Sequence, residues 1–387
     1  ISLLALMPQW PDSAAPAAAA ASSAKGAPGP TPSTKAARGF VFFSDRLRAA
    51  TGDALTIQFT PAVLAAIGPE LEKVRAARQL AMRERGQQSC PPAIRARLES
   101  EAFRRLRAEA THRFDTARYP LAQALREMLR LDAPLHRLHE AYHADLGVKG
   151  DRQEKARLLA PLTQPQSRAP LTQAYESLVI EQLAPMVADA MGCGRVLFQS
   201  FPCVRVHRPG EFSIGPHCDA QYQHPDGSLN IYLPLTRIRD TNSLYLESEP
   251  GREDFHPLYL EVGEFAAFYG AFCTHFAVEN LTEDTRVSLD FRLVPGCCYA
   301  ESVDKQERDF RVGEYYSECA RDGPGAPFRV TRRGHPYWRH GFPHTGGPLR
   351  SQDPQGVSGL DPDPGIALLR VDVVALTSTE VCVRCLL

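Results

Sequence analysis

The chain has 387 residues, 43% of them hydrophobic, which is enough for one large domain or two modest ones around a buried core. Lys and Arg number 44 and Asp and Glu 45, so overall charge draws the protein to neither nucleic acid nor an anionic membrane, and no apolar run is long enough to span a bilayer. The ten cysteines are scattered; Cys297 and Cys298 are adjacent, and Cys382-x-x-Cys385 lacks the second ligand pair that a zinc site needs, so free thiols in a reducing intracellular compartment are expected.

Residues 1–38 are rich in Ala, Pro and Ser, with Asp12 the single acid. Such a composition cannot build a core and predicts a disordered tail. It is also acid-poor and Ser-rich, as transit peptides are, so the predicted location is the cytoplasm or, if the tail targets, a chloroplast or mitochondrion. A plain tail or a fragmentary start is the other explanation.

Residues 39–192 are predicted to be mainly helical. Pro69–Arg85, Ala93–His112, Pro120–Leu131 and Leu171–Met191 repeat apolar residues every three or four positions, and Pro and Gly punctuate them. The arginines of Arg95–Arg118 are interleaved with Glu99, Glu101, Glu109 and Asp115, which reads as a solvated face.

At Gly194 the period changes to two. Arg195–Arg208, Leu229–Leu235, Asn242–Glu247, Pro257–Val262, Phe265–Tyr269, Cys273–Glu279 and Thr285–Val294 read as strands separated by Pro, Gly and Asp turns. Short strands with regular turns argue a β-sandwich or jelly roll, and the form expected over residues 193–322 is a double-stranded β-helix, a cupin-like jelly roll. The expected class is α+β, with the helical region packed on one sheet. Residues 323–387 form an irregular Pro/Gly-rich extension, with at most one strand expected in Ile366–Leu387.

Three elements carry chemistry. His217 and Asp219 lie two apart, so on an extended strand both side chains leave one face. Alone, a motif this short is equally well explained as an exposed turn. His275 lies in Phe272-Cys273-Thr274-His275-Phe276, and alone it reads as a core histidine. Together they make two imidazoles and one carboxylate, the facial set that holds non-haem Fe(II) and leaves three cis positions open. His207 and His224 are weaker ligand candidates; His224 sits in a His-Pro-Asp-Gly turn that predicts a loop directed away from the metal. The third element is Thr285–Arg292, which alternates strictly. Val287, Leu289, Phe291 and Leu293 form one face, and Arg286, Ser288, Asp290 and Arg292 the other. An exposed polar face is the ordinary cause of such alternation. Inside a jelly roll the same face lines the interior, where a forked guanidinium with a neighbouring hydroxyl suits a carboxylate.

HxD, a distal His and Arg-x-Ser on the last strand resemble the Fe(II)/2-oxoglutarate dioxygenase superfamily. His217-x-Asp219-x-x-Tyr222-x-His224-Pro225, Asn230–Thr236, Thr241–Ser248 and Thr285–Arg292 are similar to the streptomycin-biosynthesis StrG-like branch. The resemblance spans roughly Phe198 to Pro295. It implies His217, Asp219 and His275 as iron ligands, and Arg286 with Ser288 as the 2-oxoglutarate anchor. It also places Asn230 and Tyr232 toward cosubstrate or substrate, with packing inside the barrel as the other explanation. Arg205, Tyr222, Asp290 and Arg292 are candidates for substrate contact or for supporting the ligands; for Arg205 a surface ion pair is the alternative. The implied reaction uses Fe(II), 2-oxoglutarate and O2 on a small-molecule substrate and releases succinate and CO2. An intact Asp219 favours hydroxylation or desaturation over halogenation. A cupin-like iron dioxygenase or isomerase without 2-oxoglutarate, and a silent jelly-roll binding module, are the other readings.

Overall fold

The computed structural model describes residues 43–87, 91–141, 160–222, 224–299, 310–334, 370–376 and 381–386; the tail expected at residues 1–38 lies outside them. The chain divides into residues 1–40 and 41–387, and the second unit holds every described element.

The helices are α1 (Phe43–Thr51), α2 (Pro61–Ala66), α3 (Gly68–Gln87), α4 (Pro92–Leu98), α5 (Glu101–Leu106), α6 (Leu121–Leu129), α7 (Leu138–Ala141), α8 (Pro165–Leu178) and α9 (Ala184–Met191). Their ends follow local chemistry. The Thr60 hydroxyl accepts from Val63 N and Pro61 opens α2, while the Ser100 hydroxyl accepts from Phe103 N at the head of α5. Helix α9 stops at Gly192, whose φ of 61° is left-handed. Between α8 and α9 the chain widens into a π turn, Val179–Leu183, where Pro185 has no N–H to return to Glu181.

The predicted helix Ala93–His112 is broken. Ser100 caps a new helix, and Ala110–Arg113 becomes strand β1, where His112 stacks on Phe265 with ring centroids 5.1 Å apart. The remaining strands are β2 (Arg195–Gln199), β3 (Cys203–His207), β4 (Leu229–Pro234), β5 (Leu244–Leu246), β6 (His256–Pro257), β7 (Glu264–Phe268), β8 (His275–Ala277), β9 (Arg286–Pro295), β10 (Tyr316–Ala320), β11 (Arg329–Arg332), β12 (Arg370–Leu376) and β13 (Val381–Leu386). The predicted strand Arg195–Arg208 splits in two at Ser200-Phe201-Pro202, since Pro202 cannot donate to a ladder.

The large antiparallel sheet runs β1-β7-β4-β9-β2-β10-β11, with β3 also pairing β9. The ten-residue β9 is its spine. One edge pairs β3 with its first half and β2 with its second, and the other edge pairs β4 throughout. The small sheet is β6-β5-β8.

Alternation sorts the side chains into layers. Val287, Leu289, Phe291 and Leu293 of β9 pack with Tyr175, Leu178 and Val187 of the α8–α9 region. Phe291 is fully buried, with Tyr175 at 4.9 Å between centroids; burying a side chain of this size is worth about 1.5–3 kcal/mol. The opposite face of the large sheet, through Tyr232, Ala266 and Phe268, meets Leu244 and Leu246 of the small sheet. Tyr245 and Phe276 point out of the small sheet and are covered by Phe43, Leu47, Val63 and Leu71 of α1–α3.

The helices therefore cover both sheets, whereas one was expected. Small-sheet strands too short to show alternation in sequence still have two apolar faces to bury. Strands β10 and β11 were also unforeseen. They extend the large sheet, and β11 lies beyond the expected core boundary at residue 322. Near the C-terminus β12 and β13 pair antiparallel, two strands where at most one was expected.

No described helix is long and apolar enough to cross a membrane. Cys193, Cys203, Cys218, Cys273, Cys297, Cys298 and Cys319 are free thiols. Arg104 and Arg105 are ion-paired to Glu101 and exposed, as the interleaved charges of that segment imply.

His256 on β6 meets Glu109 beside β1, Nε2 to Oε2 at 2.7 Å. That hydrogen bond raises the imidazole above its ordinary 6.5. Its contribution to stability is complete below 6.5 and is lost as pH rises through the higher folded value. Denaturant midpoints are expected to fall across that window in wild type and to fall less in His256→Asn. Parallel pH profiles for the two proteins would refute the linkage.

Candidate metal centre

Local structure brings the HxD and the distal histidine together. His217 bridges His275 through reciprocal backbone hydrogen bonds, 3.2 Å from His217 N and 2.9 Å from His275 N. Asp219 opens a short 3-10 turn, and its N–H donates to Gly270 O at 2.9 Å. Potential ligand atoms of His217, Asp219 and His275 all lie within 4.8 Å of one another, and all three residues are buried. Among the described residues no other His/Cys/Asp/Glu cluster has this geometry.

The tautomers are set by carbonyls. His217 Nδ1 lies 2.9 Å from Gly215 O, and His275 Nδ1 lies 3.0 Å from Cys273 O. A carbonyl only accepts, so each Nδ1 carries the proton and each Nε2 presents its lone pair inward. Burial, reinforced by His275, lowers His217 from 6.5 to about 3, which keeps it neutral and ready to ligate at ordinary pH. Burial would raise the Asp219 carboxyl, but Arg292 and the nearby His224 and His275 hold it well below the usual range.

Asp219 is clamped. Arg292 donates from Nε to Oδ2 at 2.9 Å and from Nη2 to Oδ1 at 3.0 Å, and Asn230 Nδ2 donates to Oδ2 at 2.8 Å. Oδ1 is the oxygen on the His275 side, 3.8 Å from Nε2. Gly270 makes room for this arrangement. A Cβ there would fall 2.5 Å from Asn230 Cγ.

The interior face of β9 carries the other expected residues. Arg286 is buried, and its Nη1 donates to Asn242 O at 2.8 Å and Ser243 O at 3.1 Å. Its Nε is buried with no hydrogen bond among the described residues, and the Ser288 and Tyr232 hydroxyls are buried against each other with no further partner there. The Arg286 guanidinium stands 5.8 Å from the Tyr232 ring centroid. A guanidinium N–H without a partner and a hydroxyl pair that meets nothing further would be costly in a dry interior without a ligand. Arg205 pairs with Asp290 at 2.9 Å, the two only partly buried. Tyr222 meets the His217 ring edge-on at 5.6 Å.

Two expectations change. Asn230, expected to face the cosubstrate, gives its NH2 to Asp219; Oδ1 remains open. His224, expected in a loop directed away from the metal, is buried, stacks on Phe310 at 4.1 Å and is close enough to lower Asp219. Its Pro and Gly neighbours shape the turn but do not set its direction. His207 is buried too, with Nε2 2.6 Å from Glu211 O, outside the ligand group.

Three partners were not anticipated from sequence. Gln199 accepts from Arg292 Nη1 at 3.4 Å and from the Tyr315 hydroxyl at 2.7 Å. Arg78 of α3 reaches the loop before His275. Gln199 had a signal, a polar residue ending the apolar run Val196-Leu197-Phe198, whereas Tyr315 and Arg78 had none.

The chain is 36% identical over 151 residues to the streptomycin biosynthesis protein StrG of Streptomyces griseus, a match taking in 38% of this chain and 69% of StrG. The chain belongs to the StrG-like Fe(II)/2-oxoglutarate oxygenases. No protein-family model matches it.

Solved structures similar to this StrG-like chain include the non-haem α-ketoglutarate-dependent epimerase SnoN from nogalamycin biosynthesis, at 15% identity and a TM-score of 0.34, covering 64% of this chain and 96% of SnoN. The carbocyclase SnoK of the same biosynthesis is 11% identical with a TM-score of 0.32, covering 62% and 97%. A Pseudomonas putida prolyl-4-hydroxylase is 14% identical with a TM-score of 0.29, covering 53% and 93%. Iron and 2-oxoglutarate are the metal and cosubstrate of the StrG-like chain's superfamily, with O2 as co-reactant.

Proposed function

We propose that the protein hydroxylates a C–H bond of a small polar substrate, of the natural-product kind that StrG's name suggests, within a jelly-roll barrel closed by the large and small sheets. The observation that carries this reading is the pairing of a three-ligand cluster with the buried, unpartnered Arg286 Nε and the adjoining Ser288 and Tyr232 hydroxyls on neighbouring interior strands.

The donor set fits a divalent iron. Nε2 of His217 and His275 and Oδ1 of Asp219 would hold it, leaving three cis positions. The open donors fit the distal carboxylate of 2-oxoglutarate, whose two oxygens match a guanidinium and a hydroxyl. Bound iron and 2-oxoglutarate supply the oxidising power for C–H hydroxylation, with succinate and CO2 released. The protein supplies position and dryness. Arg286 is held rigid by two carbonyls, so it meets the cosubstrate without reorganising. Tyr232, whose pKa is raised by burial, stays a neutral donor. The Arg205–Asp290 pair closes the interior beside Ser288 and keeps two charges from competing for the cosubstrate.

The test is anaerobic Fe(II) with 2-oxoglutarate, followed by the weak visible charge-transfer absorption of the chelate. Wild type is expected to show it. In Arg286→Ala the half-saturating 2-oxoglutarate concentration should rise at least 30-fold, since a buried charge-assisted contact is worth about 2–5 kcal/mol. No absorption in wild type, or unchanged affinity in the variant, would sink the reading. Succinate release coupled to a candidate metabolite then separates an oxygenase from a silent binder.

A further inference from the structure

Asp219 offers a metal two oxygens, and the interior treats them unequally. Oδ2 accepts two N–H bonds, from Arg292 Nε at 2.9 Å and Asn230 Nδ2 at 2.8 Å. Oδ1 accepts one, from Arg292 Nη2 at 3.0 Å, and faces His275 Nε2. A carboxylate held in this way has one oxygen saturated and turned outward, and one with a lone pair left for the metal. The fork is itself anchored. Arg292 Nη1 reaches Gln199 Oε1 at 3.4 Å, and the Tyr315 hydroxyl donates to the same oxygen at 2.7 Å. Gln199 Nε2 in turn donates to Phe201 O at 2.8 Å, so the amide cannot flip without losing a bond at each end. All of these residues are buried, and Tyr315 lies beyond the span of the family resemblance.

We propose that Arg292, seated by Gln199 and Tyr315, is a positioning residue that makes Asp219 a one-oxygen ligand. The inference rests on the reading of His217, Asp219 and His275 as a metal site. Its chemical consequence is the coordination count. A carboxylate free to rotate would bind through both oxygens and consume a position that the cosubstrate or O2 needs. Bonds from the surrounding protein to ligating carboxylates typically matter by about 10–100-fold in metal affinity.

Charge and geometry predict opposite signs here, which makes the proposal testable. A guanidinium beside a cation site repels the cation. If Arg292 acted through charge alone, Arg292→Gln would bind metal more tightly and Arg292→Lys would match wild type. If it acts by holding the carboxylate, both variants lose the fork, because Lys cannot span two oxygens. The probe is Co(II), titrated anaerobically into the full chain and followed by its visible spectrum, with no cosubstrate present. Both variants are expected to bind Co(II) about 10–100-fold more weakly. Unchanged or tighter binding in Arg292→Gln overturns the proposal. Absent Co(II) binding in wild type would instead overturn the metal site itself, and this inference with it. Should the Arg292 variants fail to fold, Tyr315→Phe removes only the hydroxyl that seats Gln199. It is expected to weaken Co(II) binding several-fold at an unchanged melting temperature, and an unchanged affinity there overturns the proposal equally.

Discussion

Replacing Arg78 by alanine is expected to lower the unfolding free energy by about 3–5 kcal/mol, more than any exposed ion pair of this protein would contribute. Arg78 leaves α3 and donates from Nη1 to Glu247 Oε1 at 2.8 Å, with Phe272 O at 3.2 Å and Thr274 Oγ1 at 3.3 Å. Glu247 is fully buried, and its carboxylate also accepts from Thr274 N at 2.6 Å and Glu253 N at 2.9 Å. Removing the guanidinium strands a carboxylate in the interior. The cost is the desolvation of that charge, so Arg78→Met combined with Glu247→Leu should recover most of the loss. Urea denaturation of the three proteins measures both quantities. A loss below about 1 kcal/mol in Arg78→Ala would show that water reaches Glu247.

Phe276→Ala is the second large effect, also about 3–5 kcal/mol. Phe276 follows His275 directly, is fully buried, and is ringed by Phe255 at 5.0 Å, Phe43 at 5.6 Å, Phe59 at 5.6 Å and Tyr245 at 5.9 Å. Truncation removes both the buried area and the partner of four aromatic contacts, and those four neighbours are large rings that cannot collapse into the space. Phe276→Leu refills part of the volume and should cost less. Thermal and urea midpoints give the ranking; equal stability of the Ala and Leu variants would mean that the site relaxes fully.

Much of the large sheet was legible because its strands alternate. Thr285–Val294 was placed within a residue of β9 at each end, and its two faces sorted as the pattern implied: Phe291 toward the helices, Arg286 and Ser288 inward. The meeting of His217 with His275 was legible from residue types, since the apolar run around His275 ranked it above His207 and His224 among the 12 histidines. What failed was whatever depended on partners distant in sequence. The period of Ala93–His112 looks helical, yet its last residues serve as an edge strand on β7, because the open edge of β7 outweighs a weak local preference. Tyr315 and Arg78 carry no local sign of their roles; each matters only because of the buried acceptor it reaches. Asn230 was correctly placed on an interior strand, but its partner is Asp219, 11 residues back through a turn whose course the sequence does not reveal.

The bond between Arg78 and Glu247 joins residues 169 apart in the chain. In vectorial synthesis α3 leaves the ribosome long before β5 or β8 exists, so its guanidinium stays in water until the acceptors at residues 247–274 have emerged. Links of such separation raise contact order and place closure of the structure late. The loop that presents His275 is thus fixed only after the N-terminal helices and the strands of the small sheet have met. Assembly of the metal pocket then reports completion of the fold, and a half-made chain has no rigid place to hold iron.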